Sequence, residues 1–246
     1  MTSAFIWAFV ASSSLLFGGV IGSYFSLSRR TLGAVMGFGA GVLVSAVAYE
    51  LVYESIRLAK LTGVPLMGLF IGAATFFIAD NLIGRMGGSG RKAIGASHSS
   101  SLVVPLVLAI ILDGIPESTV VGLSILDGGS VSIGMLVAVF ISNIPESVAG
   151  TSGMRSGGWS RGKIMLLWLL IALVCAGAAS IGYEVLGNVS PVWLAFVDTF
   201  AAGAILMMLA NTMIPEAYEH GGKLAGVFTV LGFAAAVAIT VWEHSV

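Results

Sequence analysis

The chain has 246 residues, of which 57% are hydrophobic and only 9% are charged, and its mean hydropathy is +1.03. A soluble domain carries about 25% charged residues, so this composition argues against a soluble fold and indicates a protein of the lipid bilayer. The net charge of −1 also argues against a nucleic-acid partner, because no basic surface is available to neutralise phosphates.

Eight apolar stretches are long enough to cross a bilayer, which requires about 20 residues in a helix. In chain order they are 4–28, 34–58, 64–84, 102–126, 131–154, 163–186, 192–217 and 223–243. Because the connections are short, we expect a single transmembrane domain over residues 1–246. The longest polar stretch, from Arg85 to Ser101, is rich in Gly and Ser and is expected to be a flexible loop.

Lysine and arginine are distributed unequally between the connections. The odd-numbered connections carry Arg29, Arg30, Arg85, Arg91, Lys92, Arg155, Arg161, Lys163 and Lys223. The even-numbered ones carry only Arg57 and Lys60. Since cytoplasmic loops are enriched in basic residues, the odd connections are predicted to be cytoplasmic and both termini external. In a bacterium, this multi-pass protein would lie in the cell (inner) membrane.

Two similar segments lie in the middle of the fourth and fifth stretches. They read Asp113-Gly114-Ile115-Pro116-Glu117-Ser118 and Ser142-Asn143-Ile144-Pro145-Glu146-Ser147. A carboxylate and a proline are both costly at membrane depth, so their repetition indicates a site. The two spans are consecutive and therefore antiparallel, which is the arrangement of an inverted repeat with a binding site near the midplane.

A second internal similarity relates the second and seventh spans at an offset of 162 residues. Phe38-Gly39-Ala40-Gly41-Val42-Leu43 matches Phe200-Ala201-Ala202-Gly203-Ala204-Ile205, and Glu54 corresponds to Glu216. These two spans are antiparallel, so the repeat exchanges spans 1–3 with spans 6–8 and span 4 with span 5. We therefore expect an all-α membrane protein with eight transmembrane helices in a 3+2+3 inverted-repeat bundle.

The two central segments supply an oxygen-rich set of candidate ligands. Asp113 and Glu117 are four residues apart on one helix face, and carboxylates this close repel unless a proton or cation lies between them. Each proline also leaves the carbonyl oxygen four residues earlier without its helical donor. Such a set suits a divalent cation. The predicted metal ligands are Asp113, Glu117, Ser142, Asn143 and Glu146.

These residues resemble the ZIP (zinc/iron permease) family, whose fourth span typically reads His-Asn-x-Pro-Glu-Gly and whose fifth reads His-x-x-Pro-Glu-Gly. The resemblance covers the eight spans, the external termini and the 3+2+3 order. It implies transport of divalent transition-metal ions into the cytoplasm, with the metal as substrate, no organic cofactor and no enzymatic activity. Glu117 and Glu146 correspond to the family's metal-bridging glutamates, and Asp113 and Asn143 to flanking ligands.

The chain also departs from the family pattern. Asp113 and Ser142 stand where the family has histidines, and Gly114 replaces an asparagine. Ser118 and Ser147 replace the glycine after each Pro-Glu pair. Carboxylate and carbonyl ligands suit Mn²⁺, Mg²⁺ or Ca²⁺, whereas imidazole suits Zn²⁺ and Fe²⁺. The ligand types thus favour other ions than zinc, whereas the family resemblance still makes zinc the first expectation, with iron and manganese left open.

Other acidic residues lie near the ends of the second and seventh spans. Glu50 and Glu54 lie near the outer end of span two, and Glu216, Glu219 and His220 near the inner end of span seven. Under the repeat, these groups form the outer and inner mouths of one pathway. The alternative is that they only reach headgroup water, which is also the expectation for Asp80, Glu184 and Asp198. His98, in the polar loop, resembles a remnant of the family's histidine-bearing loop.

Other functions remain open on sequence alone. A calcium or sodium exchanger also uses Pro-Glu motifs, although on helices far apart in sequence. An intramembrane hydrolase could use Asp113 and Glu117 as acid and base, but it would need a nucleophile or a metal-held water, and no Ser/His or His/Asp set lies at membrane depth. A metal sensor or scaffold without transport is the last alternative. The expected partners are the lipid bilayer and metal ions, and a homodimer is left open.

Overall fold

The computed structural model describes residues 2–25, 27–60, 62–85, 103–128 and 131–243. This part of the chain forms eight helices that are long and apolar enough to cross a membrane. They are α1 (Thr2–Tyr24), α2 (Arg29–Leu58), α3 (Val64–Ile83), α4 (Val103–Gly128), α5 (Ile133–Ser156), α6 (Arg161–Leu186), α7 (Pro191–Gly221) and α8 (Lys223–Glu243). No strand occurs in these ranges, so the prediction of an all-α membrane protein with eight spans is confirmed. Apart from its first residue, the predicted loop 85–101, with His98, lies outside the described residues.

Serine residues begin four of the helices. The residues that precede α2, α5, α6 and α7 are Ser28, Ser132, Ser160 and Ser190. Each side-chain oxygen accepts a hydrogen bond from the backbone N–H three residues later, at 3.1–3.5 Å. This cap satisfies one of the donors that the start of a helix leaves without a partner.

Three predicted boundaries differ from the structure by more than two residues. α1 ends at Tyr24 rather than at 28, because the next residue is extended (φ −120°, ψ 136°). α2 begins at Arg29 rather than at 34, because Ser28 caps it there. α7 continues to Gly221 rather than to 217, and the positive φ of Gly222 (58°) ends it.

α2 and α7 each contain a π-helical stretch in the middle of the helix. These are Val47–Tyr53 in α2 and Leu209–Met213 in α7. The stretches begin 162 residues apart, which is the offset of the sequence similarity between the two helices. The first contains Glu50 and directly precedes Glu54, and the second ends three residues before Glu216. Short π-helical turns are frequent at functional sites.

The helices pack in two sets. In the first set, α3 packs on α7, and α8 packs on α2. The second set consists of α1, α4, α5 and α6. A Cβ atom on Gly72 in α3 would collide with the carbonyl oxygen of Phe200 in α7. Gly232 in α8 has the same relation to Phe38 in α2, and the two phenylalanines are again 162 residues apart. These two interfaces correspond as the repeat requires, while the complete 3+2+3 arrangement stays a prediction.

The largest buried cluster joins α2, α4, α5 and α7. Its members include Leu43, Val120, Met135 and Ile205. In contrast, only 17% of the most apolar stretch of α3, and the same share in α8, is buried inside the protein. Lipid would cover the rest of their apolar surface. The centres of α4 and α5 therefore lie inside the bundle.

Candidate functional site

The two Pro-Glu segments lie near the middle of α4 and α5, and both helices continue through their prolines. The exposed fractions of the predicted ligands are 1% for Asp113, 0% for Glu117, 0% for Ser142, 4% for Asn143 and 6% for Glu146. Lipid cannot hydrogen-bond such groups, so their partners must come from the protein, water or a bound ion. The structure thus places the predicted ligands inside the bundle.

On α5, two serine hydroxyls bond within their own helix. Ser142 donates to the carbonyl oxygen of Val139 (3.0 Å), and Ser147 donates to that of Asn143 (2.8 Å). A hydroxyl that donates in this way keeps lone pairs on its oxygen for another partner. Gly39 of α2 lies alongside, where a Cβ atom would be 3.2 Å from the Cα of Ser142. The hydroxyl oxygen of Ser142 thus keeps the capacity to act as a neutral ligand.

Around Glu117, α4 packs against α1 and α6. The hydroxyl oxygens of Ser118 and Ser12 are 3.3 Å apart. Cys175 of α6 lies close to both serines and to Glu117. A Cβ atom on Gly114 would lie 2.8 Å from the Cys175 sulfur. The single thiol therefore fills the space that the missing side chain at position 114 leaves.

The described residues form no compact cluster of acidic, histidine and cysteine ligands. Among the described residues, no three side chains of these types are arranged so that they could hold one metal ion. Asp113, Glu117 and Glu146 therefore do not make such a cluster by themselves in this conformation. A site built from them would also need the amide of Asn143, the hydroxyl of Ser142 or a backbone carbonyl.

A cavity of about 490 Å³ opens at one end of the bundle, where α2, α4, α6 and α8 end and α5 and α7 begin. Four acidic side chains line it: Glu50, Glu54, Asp198 and Glu243. Val120, which lies three residues after Glu117, also lines the cavity. The cavity thus extends from the helix ends toward the central segment of α4. The basic-residue bias predicts that this end is external.

Glu50 connects three helices at the wall of this cavity. Its carboxylate accepts hydrogen bonds from the hydroxyls of Ser132 (2.9 Å) and Thr240 (3.0 Å). The carboxylate of Glu243 accepts hydrogen bonds from the first two backbone N–H groups of α5, at 3.0 and 3.2 Å. Two acidic residues thus lie at the start of α5, where the helix dipole favours negative charge.

Two acids of this cavity were not predicted as pathway residues. Asp198 was expected to reach surface water, and this is wrong, because it lies about two turns inside α7 and is only 2% exposed. Glu243 reaches α5 through a contact between residues more than a hundred positions apart, for which the sequence has no local signal. Glu184 is exposed as expected, and Asp80 is half-buried.

The predicted inner group lies at the opposite end of the bundle. Glu219 is exposed, whereas Glu216 and His220 are half-buried. None of the three lines the 490 Å³ cavity. The structure therefore keeps the two predicted groups of pathway residues apart, at opposite ends of α2 and α7.

Two curated proteins are similar to the chain. It is 26% identical over 219 residues to "Putative zinc transporter At3g08650" of Arabidopsis thaliana, a match that covers 88% of this chain and 34% of that protein. It is 27% identical over 134 residues to "Zinc transporter SLC39A7" of Rattus norvegicus, which covers 51% of this chain and 28% of that protein. The chain thus spans about a third of the length of these relatives. No protein-family model matches it.

The eight apolar helices in the described part of the chain define an integral, multi-pass membrane protein. The two matches confirm its resemblance to the ZIP (zinc/iron permease) family. Both relatives are named as transporters, which agrees with the prediction that the chain is not an enzyme.

Proposed function

We propose that the protein transports a divalent transition-metal ion into the cytoplasm, with zinc as the first candidate and iron or manganese next. The observation that carries the proposal is the burial of Glu117 and Glu146 at the centre of two apolar helices. Burying an ionisable side chain at membrane depth is costly, and such residues are usually functional. Both relatives are named as zinc transporters, one of them as a putative one, and these names support zinc as the substrate.

The proposed ligands are Asp113, Glu117, Ser142, Asn143 and Glu146. They offer carboxylate, amide and hydroxyl oxygens, and a divalent cation between α4 and α5 would offset the repulsion among the carboxylates. A transported ion must bind well enough to enter the site and weakly enough to leave it. Neutral oxygen ligands hold Zn²⁺ less firmly than imidazole or thiolate ligands, which suits release.

The acidic cavity is the proposed access route from outside. Its carboxylates attract cations and raise their local concentration. Its inner wall includes Val120, three residues from Glu117. Glu216, Glu219 and His220 form the proposed exit on the cytoplasmic side. With both termini external, the ion would pass from the cavity through the central segments to this exit.

Metal uptake into proteoliposomes tests this function. Vesicles that contain the purified protein are offered Zn²⁺, Fe²⁺, Mn²⁺, Cd²⁺ or Ca²⁺, and metal accumulation is measured. Glu117→Ala and Glu146→Ala should each abolish uptake while the protein remains helical and monodisperse in detergent. Glu184→Ala is the matched control, because Glu184 is exposed near the end of α6.

Each outcome decides a different part of the proposal. Normal uptake by folded Glu117→Ala or Glu146→Ala would exclude the assigned site. Failure of the wild-type protein to take up any of the ions would exclude transport. Uptake of Ca²⁺ alone would favour the exchanger over the transition-metal carrier.

A further inference from the structure

α1 contacts the central segments of both α4 and α5. α1 is itself interrupted once, and the two contacts lie on opposite sides of this interruption. The Ser12 hydroxyl oxygen lies 3.3 Å from that of Ser118 in α4. Gly18 lies against α5, where a Cβ atom would collide with the side chain of Ser147 and come within 2.5 Å of the Ile144 carbonyl oxygen. Ser118 and Ser147 are the residues that directly follow the two motif glutamates.

The interruption lies at Ser13. The hydroxyls of Ser13 and Ser14 each donate, at 2.6 Å, to the carbonyl oxygen three residues earlier. Such side-chain bonds compete with the helical backbone bonds and often bend the helix. The two parts of α1 consequently pack on different partners. Thr2–Ser12 packs mainly on α6 and α4, and Ser14–Tyr24 mainly on α5.

α4 and α5 contact each other less than each of them contacts α1. Among the helices that contact both α4 and α5, α1 makes the most extensive contacts with them, so it links the positions of Glu117 and Glu146. A displacement of Ser118 or Ser147 passes to the neighbouring glutamate across one peptide bond. Close-packed interiors transmit such displacements, because few voids are available to absorb them.

We propose that α1 positions the two glutamates through Ser12 and Gly18, and that it thereby sets the size of the ion that the site accepts. This inference rests on the proposed transport of metal by Glu117 and Glu146. Ser12 and Gly18 act through their neighbours as positioning residues. Metal–ligand distances vary by only about 0.2 Å for a given ion, so a small displacement of one carboxylate changes the preference between a smaller and a larger ion.

Gly18→Ala tests the contact with α5. The added methyl group forces α1 away from Ser147, and we expect the ratio of initial Zn²⁺ and Cd²⁺ uptake rates to change by about threefold or more. Gly177→Ala is the matched control, because a Cβ atom there meets nothing within 4 Å, and it should leave the ratio unchanged. A simple loss of folded protein lowers both rates equally and does not move the ratio.

Ser12→Ala tests the contact with α4 and keeps the inference testable if Gly18→Ala does not fold. It removes one hydroxyl of the Ser12–Ser118 pair with little change in volume, and we expect a shift of the same ratio. Ser180→Ala is its control, since Ser180 is also buried but donates only within α6, to Ala176.

A second readout does not depend on flux. The absorption spectrum of Co²⁺ bound to the purified protein reports the geometry of its ligands, and it should change shape in Gly18→Ala but not in Gly177→Ala. If the folded, transporting Gly18→Ala and Ser12→Ala variants keep the wild-type ion ratio and Co²⁺ spectrum, the inference is overturned and the proposed function stands. If the wild-type protein takes up no metal, the proposed function falls, and this inference falls with it.

Discussion

The hydroxyl of Ser132 donates a hydrogen bond of 2.9 Å to the carboxylate of Glu50. The same hydroxyl oxygen caps α5 by accepting a bond from the backbone N–H of Met135 (3.1 Å). One side chain therefore links the π-helical stretch of α2 to the first turn of α5. Because α5 also carries Asn143 and Glu146, part of the wall of the acidic cavity and half of the candidate metal site belong to one helix.

Ser132→Ala should destabilise the protein more than the loss of an ordinary helix cap. The lost cap costs about 1 kcal/mol, and the lost bond to the Glu50 carboxylate adds roughly as much. Ser190→Ala is the comparison, because Ser190 caps α7 in the same way. Thermal unfolding in detergent measures the difference. Equal melting temperatures for the two variants would show that the bond to Glu50 contributes nothing.

Gly72→Ala and Gly232→Ala should destabilise the protein by similar amounts, about 1–3 kcal/mol each. In both cases the new methyl group meets a backbone carbonyl oxygen of the facing helix, which cannot rotate away. Gly226→Ala, in α8, adds the same group where nothing lies within 4 Å and should be neutral or slightly stabilising. A large inequality between the first two variants would argue against equivalent interfaces.

Asp113→His should move the ion preference from Mn²⁺ toward Zn²⁺, because imidazole suits zinc better than a carboxylate does. The ratio of Mn²⁺ and Zn²⁺ uptake in proteoliposomes measures the shift. Asp113→Asn, which removes the charge but keeps an oxygen ligand, should weaken uptake of both ions without favouring zinc. If Asp113→His leaves the selectivity of a strongly zinc-preferring wild type unchanged, Asp113 is not a metal ligand.

Asp198→Asn should raise the KM for metal uptake with little change in the maximal rate. Asp198 lines the acidic cavity, where a negative charge raises the local cation concentration without acting on the central site. The effect should shrink at high ionic strength, because salt screens the attraction. A fall in maximal rate at unchanged KM would instead place Asp198 in a later step of transport.

Cysteine labelling should establish the orientation. In a Cys175→Ala background, a membrane-impermeant thiol reagent applied from outside should label a cysteine introduced at Gly128 and should miss one introduced at Gly90. The expectation follows from the excess of Lys and Arg in the odd-numbered connections. Labelling only at Gly90 would reverse the orientation and exchange the two mouths of the proposed pathway.

The eight helices could be predicted because bilayer thickness demands apolar runs of about 20 residues, and such runs are visible in a sequence. The π-helical stretches could not, since residues Val47–Tyr53 show no local feature that sets them apart from a regular helix. The position of Asp198 also escaped prediction. A sequence gives the depth of a residue along a helix, but the direction of its side chain relative to a cavity depends on how the helices pack.

The same limit applies to the candidate site. Glu117 and Glu146 could be predicted as buried, because a long apolar run surrounds each of them. The contacts of α1 could not be predicted, because serine and glycine occur at many helix interfaces and do not indicate which helix they contact. Only the packed structure brings Ser12 to Ser118 and Gly18 to Ser147.

The π-helical stretch of α2 also affects how this helix is aligned with its homologues. A π-helical turn holds one residue more than a regular turn, so the residues that follow, Glu54 among them, are rotated by about 100° around the helix axis relative to an uninterrupted α-helix. A homologue that is regularly wound here would present its acidic side chain to the same cavity from a position one residue earlier. An alignment without a gap would pair Glu54 with the residue that follows the acidic residue of such a homologue. The homologue would then be read as lacking a negative charge at the cavity.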